Sequence, residues 1–188
     1  MNRIFSAALE IQEFCLQKKW RFCFIGAIAV QRWGEPRLTL DVDLTIVTGF
    51  GSEESYIDPL LERFPSRIPH GRRFALKNRV LLLKGGGDIP IDVALGAMPF
   101  EERAVDRASA FPIGSDISLT TCSAEDLVVF KAFASRDKDW LDIEGIVLRQ
   151  AGKLDERLIW QELHPLVDLK QEPAISDRLR DLLERHRA

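Results

Sequence analysis

The chain has 188 residues, 46% of them hydrophobic and 29% charged, with a formal net charge of −3. That balance describes an ordinary globular chain able to bury a core. It excludes a protein drawn as a whole to polyanions, so any nucleotide or nucleic acid must be met by a local basic group.

Cys15, Cys23 and Cys122 form no CxxC pair and sit among apolar residues, the pattern of small buried hydrophobes in a reducing cytosol. His70, His164 and His186 are scattered, which argues against zinc. The N-terminal segment carries glutamates inside its apolar pattern and reads as an amphipathic helix, not a signal peptide. The longest apolar run, residues 22–30, falls short of the roughly 20 residues a membrane span needs. A cytoplasmic protein without a membrane partner is expected.

In chain order, Ile4, Ala8, Leu9, Ile11, Cys15 and Leu16 recur at helical spacing over residues 4–18. The run WRFCFI (20–25) is strand-like and ends at Gly26, from which a second helix runs to a C-cap at Gly34. A strand is expected over residues 38–48, then a helix over 53–64 with Ser52 as its N-cap. A basic loop, residues 67–79, precedes two strands (79–84 and 89–95) that read as a hairpin about Gly85, Gly86 and Gly87. This glycine turn lacks the Lys-Ser/Thr and following helix of a phosphate loop. A short charged helix (99–108) and a last strand (117–121) follow. Ser123 to Asp126 is a variant capping box opening a helix over 124–135, and helical segments continue over 138–151, 156–169 and 175–186. The pattern is α+β: a small mixed β-sheet flanked by helices over residues 1–121, with a helical part over 122–188.

The chemistry concentrates around LTLDVDLTIV, residues 38–47. Strand side chains alternate, so Asp41 and Asp43 are expected on one face about 6.6 Å apart along the backbone, with Leu40, Val42 and Leu44 turned into the core. Arg37 and Thr39 keep the same two-residue period and would share that face if the strand reached them. Asp92, in the equally aliphatic IPIDVAL, would stand about 5 Å from the pair were its strand the neighbour. Three carboxylates without a cation repel one another, whereas Mg²⁺ or Mn²⁺ takes just such hard oxygen ligands. Gly26 and Ala27 open a helix straight after a strand, a place where backbone N–H groups and the helix dipole favour phosphate. Each feature alone has a plainer reading, as a solvated Asp-x-Asp or a simple strand-to-helix turn. The combination points to a metal site, with Asp41, Asp43 and Asp92 as ligands. An acceptor hydroxyl would then attack the α-phosphate of an NTP, with Asp92 as the proton acceptor.

These residues make the chain resemble the DNA polymerase β-type nucleotidyltransferase superfamily, whose signature is a small-residue pair at a helix start, an Asp-x-Asp strand and a third acid on a later strand. The form Gly-x-Ala, Trp-Gly, Arg-x-Thr-x-Asp-x-Asp-Leu is most similar to the abortive-infection (AbiEii-type) and related branch. The stretch EDLVVFKAFASRDKDWLDI also resembles that branch, at Asp126, Leu127, Lys131, Arg136, Lys138, Asp139 and Asp142. The resemblance, over about residues 22–145, implies catalytic or nucleotide-binding roles for Lys131, Arg136 and Asp139 beside Gly26, Ala27, Arg37 and Thr39. Residues 136–139 otherwise read as a solvated charged linker. Ala27 departs from the family's glycine or serine, so a hydroxyl is absent there while the N–H remains. The expected function is NMP transfer to RNA or protein in a toxin–antitoxin-like role, with a partner protein. Transfer to a small aminoglycoside-type antibiotic, or a silent binding module, are the alternatives. The basic segment 67–79 could touch an RNA acceptor or stand solvated.

Overall fold

The computed structural model describes residues 2–187. It divides into a sheet unit, running up to Ile28 and over Leu38–Cys122, and a helical unit, made of Ala29–Arg37 and the chain from Ser123 onward.

In the sheet unit, α1 (Arg3–Gln17) begins at Asn2, whose side chain accepts a hydrogen bond from the Ile4 N–H at 3.1 Å. Its buried stripe is Ile4, Ala7, Ala8, Ile11 and Cys15, while Leu16 is exposed. Gln12, also buried, donates to the Ser118 carbonyl at 2.8 Å and accepts from the Thr120 N–H at 2.9 Å. One amide thereby fastens the helix to the sheet by both its donor and its acceptor.

The strands are β1 (Phe22–Phe24), β2 (Val42–Val47), β3 (Val80–Lys84), β4 (Pro90–Gly96), β5 (Ser109–Pro112) and β6 (Ser118–Thr121). They form a six-stranded mixed sheet in the order β3-β4-β2-β1-β6-β5. At its centre β2 runs parallel to β4, and β3 and β1 lie antiparallel on the outer flanks of that pair. Val42, Leu44 and Ile46 on β2 and Ile91, Val93 and Leu95 on β4 alternate into the core. There they meet the apolar stripe of α1 and Ile57 and Leu60 of α3 (Glu54–Arg63). A short 3-10 turn, Gly86–Asp88, closes the hairpin between β3 and β4. The helix α5 (Pro99–Asp106) packs along β1 and β2.

Several expectations are corrected. The strand expected over 38–48 begins only at Val42, so Arg37, Thr39 and Asp41 are not on it. Leu40, expected in the core, is 73% exposed. The local bond that replaces a ladder is the Thr39 hydroxyl, which donates to the Asp41 carboxylate at 3.0 Å; short polar side chains compete with sheet pairing in this way. The helix α3 has Glu53, not Ser52, at its N-cap, without a side-chain capping bond. Much of the segment read as a basic loop is a helix, α4 (Gly71–Asn78), and β5 was not expected at all.

In the helical unit, α6 (Ala124–Ala134) is capped by Ser123, whose hydroxyl accepts from the Asp126 N–H at 3.0 Å. It is buried on nearly every side, through Ala124, Leu127, Val128, Val129 and Ala132, which is why its sequence shows no amphipathic period. Around it stand α7 (Asp137–Gln150), α8 (Glu156–Lys170) and α9 (Ala174–Arg185). The helix α2 (Gly26–Trp33) contributes its first turn to the sheet unit and the remainder to this one. Its end is fastened to α7, where Gln150 donates to the Trp33 carbonyl at 2.8 Å and Arg149 donates to the Gly34 carbonyl. Among the described residues, no helix is long and apolar enough to cross a membrane.

Candidate active site

In the sheet unit, the parallel register sets Asp43 of β2 directly opposite Asp92 of β4. Both point away from the aliphatic core by strand alternation. Asp41 lies one residue before β2, and its charge is close enough to act on Asp92. Burial, foremost, holds the Asp92 carboxyl above the ordinary carboxylate range; the Asp41 charge pushes the same way, while Arg67 opposes it.

Gly26 closes the site from the side of β1. The Ile25 N–H donates to the Asp43 carbonyl at 3.0 Å, which continues the β1–β2 pairing up to the first residue of α2. Gly26 has φ +57°, and a Cβ on it would stand 2.6 Å from Asp43 Cγ and 2.7 Å from Asp43 Cβ. Only glycine fits there, for both conformation and space. Ala27 behind it is buried.

The sequence missed the partner of Asp92. Arg67 Nη2 donates to Asp92 Oδ1 at 2.6 Å, with each side chain about three-tenths exposed (29% and 30%). The signal was present in the sequence only as one residue of the basic segment. Other cations of that segment are also engaged: Arg72 pairs with Asp58 and Glu54, and Arg79 with Glu53.

The donor chemistry fits a divalent cation. Asp41, Asp43 and Asp92 would supply hard carboxylate oxygens on one edge of the central strand pair. As the side chains stand, no three acid, histidine or cysteine groups converge on a common ion position among the described residues. Asp92 is turned to Arg67 and Asp41 is hydrogen-bonded by Thr39.

In the helical unit, Lys131, Arg136, Asp139 and Asp142 gather around one buried network with Arg37. Lys131, 5% exposed, directs its ammonium to Asp142 Oδ2 at 2.6 Å and Asp139 Oδ1 at 3.4 Å. Arg37 forks onto Asp142, with Nε at 2.8 Å and Nη2 at 3.0 Å, and so serves this network, not the face of the Asp-x-Asp strand. Arg136 closes on Asp139 through its own N–H, Nε and Nη2. Burial would raise both carboxyls, but Arg136 and Lys131 hold Asp139, and Arg37 and Lys131 hold Asp142, below the ordinary range. The solvated-linker reading of residues 136–139 is therefore corrected for Asp139, which is fully buried.

A mixed sheet with this strand order, helices to its sides and a helical part after it is the nucleotidyltransferase fold, as its structural neighbours show. Two solved structures share it along nearly the whole chain. An antigenic nucleotidyltransferase-like protein from Paracoccidioides brasiliensis superposes with a TM-score of 0.51 at 16% identity, over 94% of this chain and 91% of its own. The antibiotic-resistance factor ANT(2'')-Ia gives a TM-score of 0.51 at 15% identity, over 97% and 95%. The lincosamide antibiotic adenylyltransferase LnuA reaches 0.48 at 14% identity, over 75% and 94%. No family model matches the chain, and neither does any curated protein.

Proposed function

We propose that the chain is a nucleotidyltransferase that moves an NMP from an NTP to an acceptor hydroxyl. The observation that carries this reading is the register that sets Asp43 opposite Asp92, with Asp41 near enough to act on Asp92 by charge. Asp41, Asp43 and Asp92 would hold Mg²⁺ or Mn²⁺, which when bound neutralises the triphosphate and the charge developing at the α-phosphorus. Asp92, raised by burial, takes the proton of the acceptor hydroxyl as its oxygen bonds to the α-phosphorus. The bond from the α-phosphorus to the bridging oxygen breaks, and pyrophosphate leaves with that electron pair. Backbone N–H groups at Gly26 and Ala27 receive a phosphate oxygen at the start of α2. Thr39 orients Asp41. In the helical unit, Lys131 and Arg136 hold Asp139 in place and Lys131 also holds Asp142.

For the acceptor, one observation favours a small hydroxylic molecule over RNA. Arg67, Arg72 and Arg79 of the basic segment are each met by an acid, which leaves, among the described residues, Arg73 and Lys77 as its exposed cations without an acid partner. The likeness to an antibiotic-resistance factor agrees with that choice. An AbiEii-like toxin that modifies tRNA or a protein, working with a partner protein, is the other outcome of the same assay.

The chain is incubated with Mg²⁺, each α-labelled NTP, and in separate arms aminoglycoside-type antibiotics, total RNA and total protein. Label should pass to the small-molecule arm. Asp41→Ala and Asp92→Ala should each lower transfer by at least about a hundredfold with unchanged circular dichroism. No transfer from any NTP in any arm, together with no Mg²⁺–NTP effect on thermal unfolding, would overturn the enzyme reading.

A further inference from the structure

The ion pair between Arg67 and Asp92 links a segment on the edge of the sheet to the third acid of the candidate site. Its backbone is pinned, because the Arg67 N–H donates to the Leu82 carbonyl and the Lys84 N–H donates to the Pro65 carbonyl, each at 2.9 Å. Ser66 bridges to Leu83 across the outer edge of β3, and its hydroxyl donates to the Ile68 carbonyl at 2.8 Å. Leu82 is in turn the ladder partner of Asp92. The side chain of Arg67 thus starts from a fixed point on the sheet edge and reaches over β3 to the third acid.

Its hold there is monodentate. A single guanidinium nitrogen meets a single carboxylate oxygen, Oδ1, in a pair that is about three-tenths exposed. This differs from the forked hold of Arg37 on Asp142, in which two guanidinium nitrogens meet both oxygens of a buried carboxylate. A one-point, partly wet contact on a flexible stem exchanges readily, whereas a forked one is held by geometry as well as charge. The electrostatic need for a cation at Asp92 is plain from its neighbours, since Asp43 stands opposite and Asp41 acts on it.

We infer that Arg67 is a displaceable counter-ion of the carboxylate site. Its guanidinium supplies at Asp92 the positive charge that a divalent cation supplies in the loaded site, and it withdraws when the cation binds. This inference rests on the metal-site reading proposed above and adds to it a residue that sets cation affinity. Arg67 steadies three neighbouring carboxylates in the cation-free chain and, for the same reason, weakens cation binding by competing for Asp92.

Mn²⁺ binding to the full chain, followed by titration calorimetry without nucleotide, tests it. Arg67→Gln should bind Mn²⁺ about tenfold more tightly than the wild type, the scale of one charge-assisted hydrogen bond removed from the competitor. Adding Asp92→Asn to Arg67→Gln should erase that gain. In the wild-type chain, which needs no substitution to fold, the side-chain ¹⁵N resonance of Arg67 should move on adding Mg²⁺, with the midpoint found by calorimetry. Mn²⁺ bound by the wild type and equally or less tightly by Arg67→Gln would overturn the role of Arg67 while leaving the metal site standing. So would an Arg67 resonance that stays put as Mg²⁺ binds. Absence of binding to both wild type and Arg67→Gln would remove the metal site, and this inference with it.

Discussion

Replacing Gly26 by alanine should lower unfolding free energy by about 2–4 kcal/mol, from the left-handed backbone and the overpacking together. It should also cut nucleotidyl transfer by about a hundredfold, the scale of an ångström's misplacement. The new methyl would stand 2.7 Å from Asp43 Cβ, an atom that no rotamer change can move. The backbone cannot yield cheaply either, because Ile25 and Asp43 are joined by a ladder hydrogen bond at 3.0 Å. The displaced element is therefore the one that faces Asp92. Gly49→Ala separates the two contributions: Gly49 has φ +69° but nothing within 4 Å of an added Cβ. That variant should pay the conformational cost alone, about 1–2 kcal/mol, and keep its transfer rate. Denaturant titration and initial rates on both variants decide the matter; equal losses of activity would show that the contact with Asp43 is immaterial.

Lys131→Met should destabilise the helical unit by about 2–3 kcal/mol, because it removes a cation that Asp139 and Asp142 share and leaves each buried carboxylate to a single arginine, Arg136 and Arg37. Both carboxyls are held below their unfolded values, so the unfolded chain binds more protons as the pH falls. Their contribution is fully present above the unfolded value of about 4 and is lost as the pH drops through the lower folded values. The gap between wild type and Lys131→Met should accordingly be widest near neutral pH and narrow in acid. Adding Asp142→Asn to the variant should recover part of the loss at pH 7. Denaturant midpoints across pH 3–7 measure all three proteins, and a gap that stays constant with pH would refute a charge-based role for Lys131.

How far the sequence foretold this site differs from residue to residue. Asp43 and Asp92 were legible because each interrupts a run of alternating aliphatics, and alternation decides which face a strand residue takes. Asp41 has the same flanks, yet the hydroxyl of Thr39 draws the preceding segment into a local bond, and Leu38 and Leu40 are exposed. Period alone does not separate such a segment from a strand. The partner of Arg37 lies 105 positions away in the chain and that of Arg67 lies 25 away, pairings that no local pattern announces. Lys131 did carry a signal, a lone cation inside the apolar run of α6, which in a helix buried all round must find acids. The helix α4 shows no buried apolar stripe in the sequence, since only Gly71 and Ala75 are buried while Phe74 and Leu76 are exposed, and β5 is a short, mostly exposed edge strand ending in proline.

The parallel pairing of β2 with β4 bears on biosynthesis. The β3–β4 hairpin closes over a short turn, whereas β2 meets β4 only after α3, α4 and β3 have been traversed. Closing that longer loop costs more chain entropy than closing the hairpin. A growing chain that has not yet released Gly96 carries Asp41 and Asp43 without the strand that opposes them. The acid cluster is thus complete only once β4 lies beside β2, and a chain synthesised short of β4 holds no finished site.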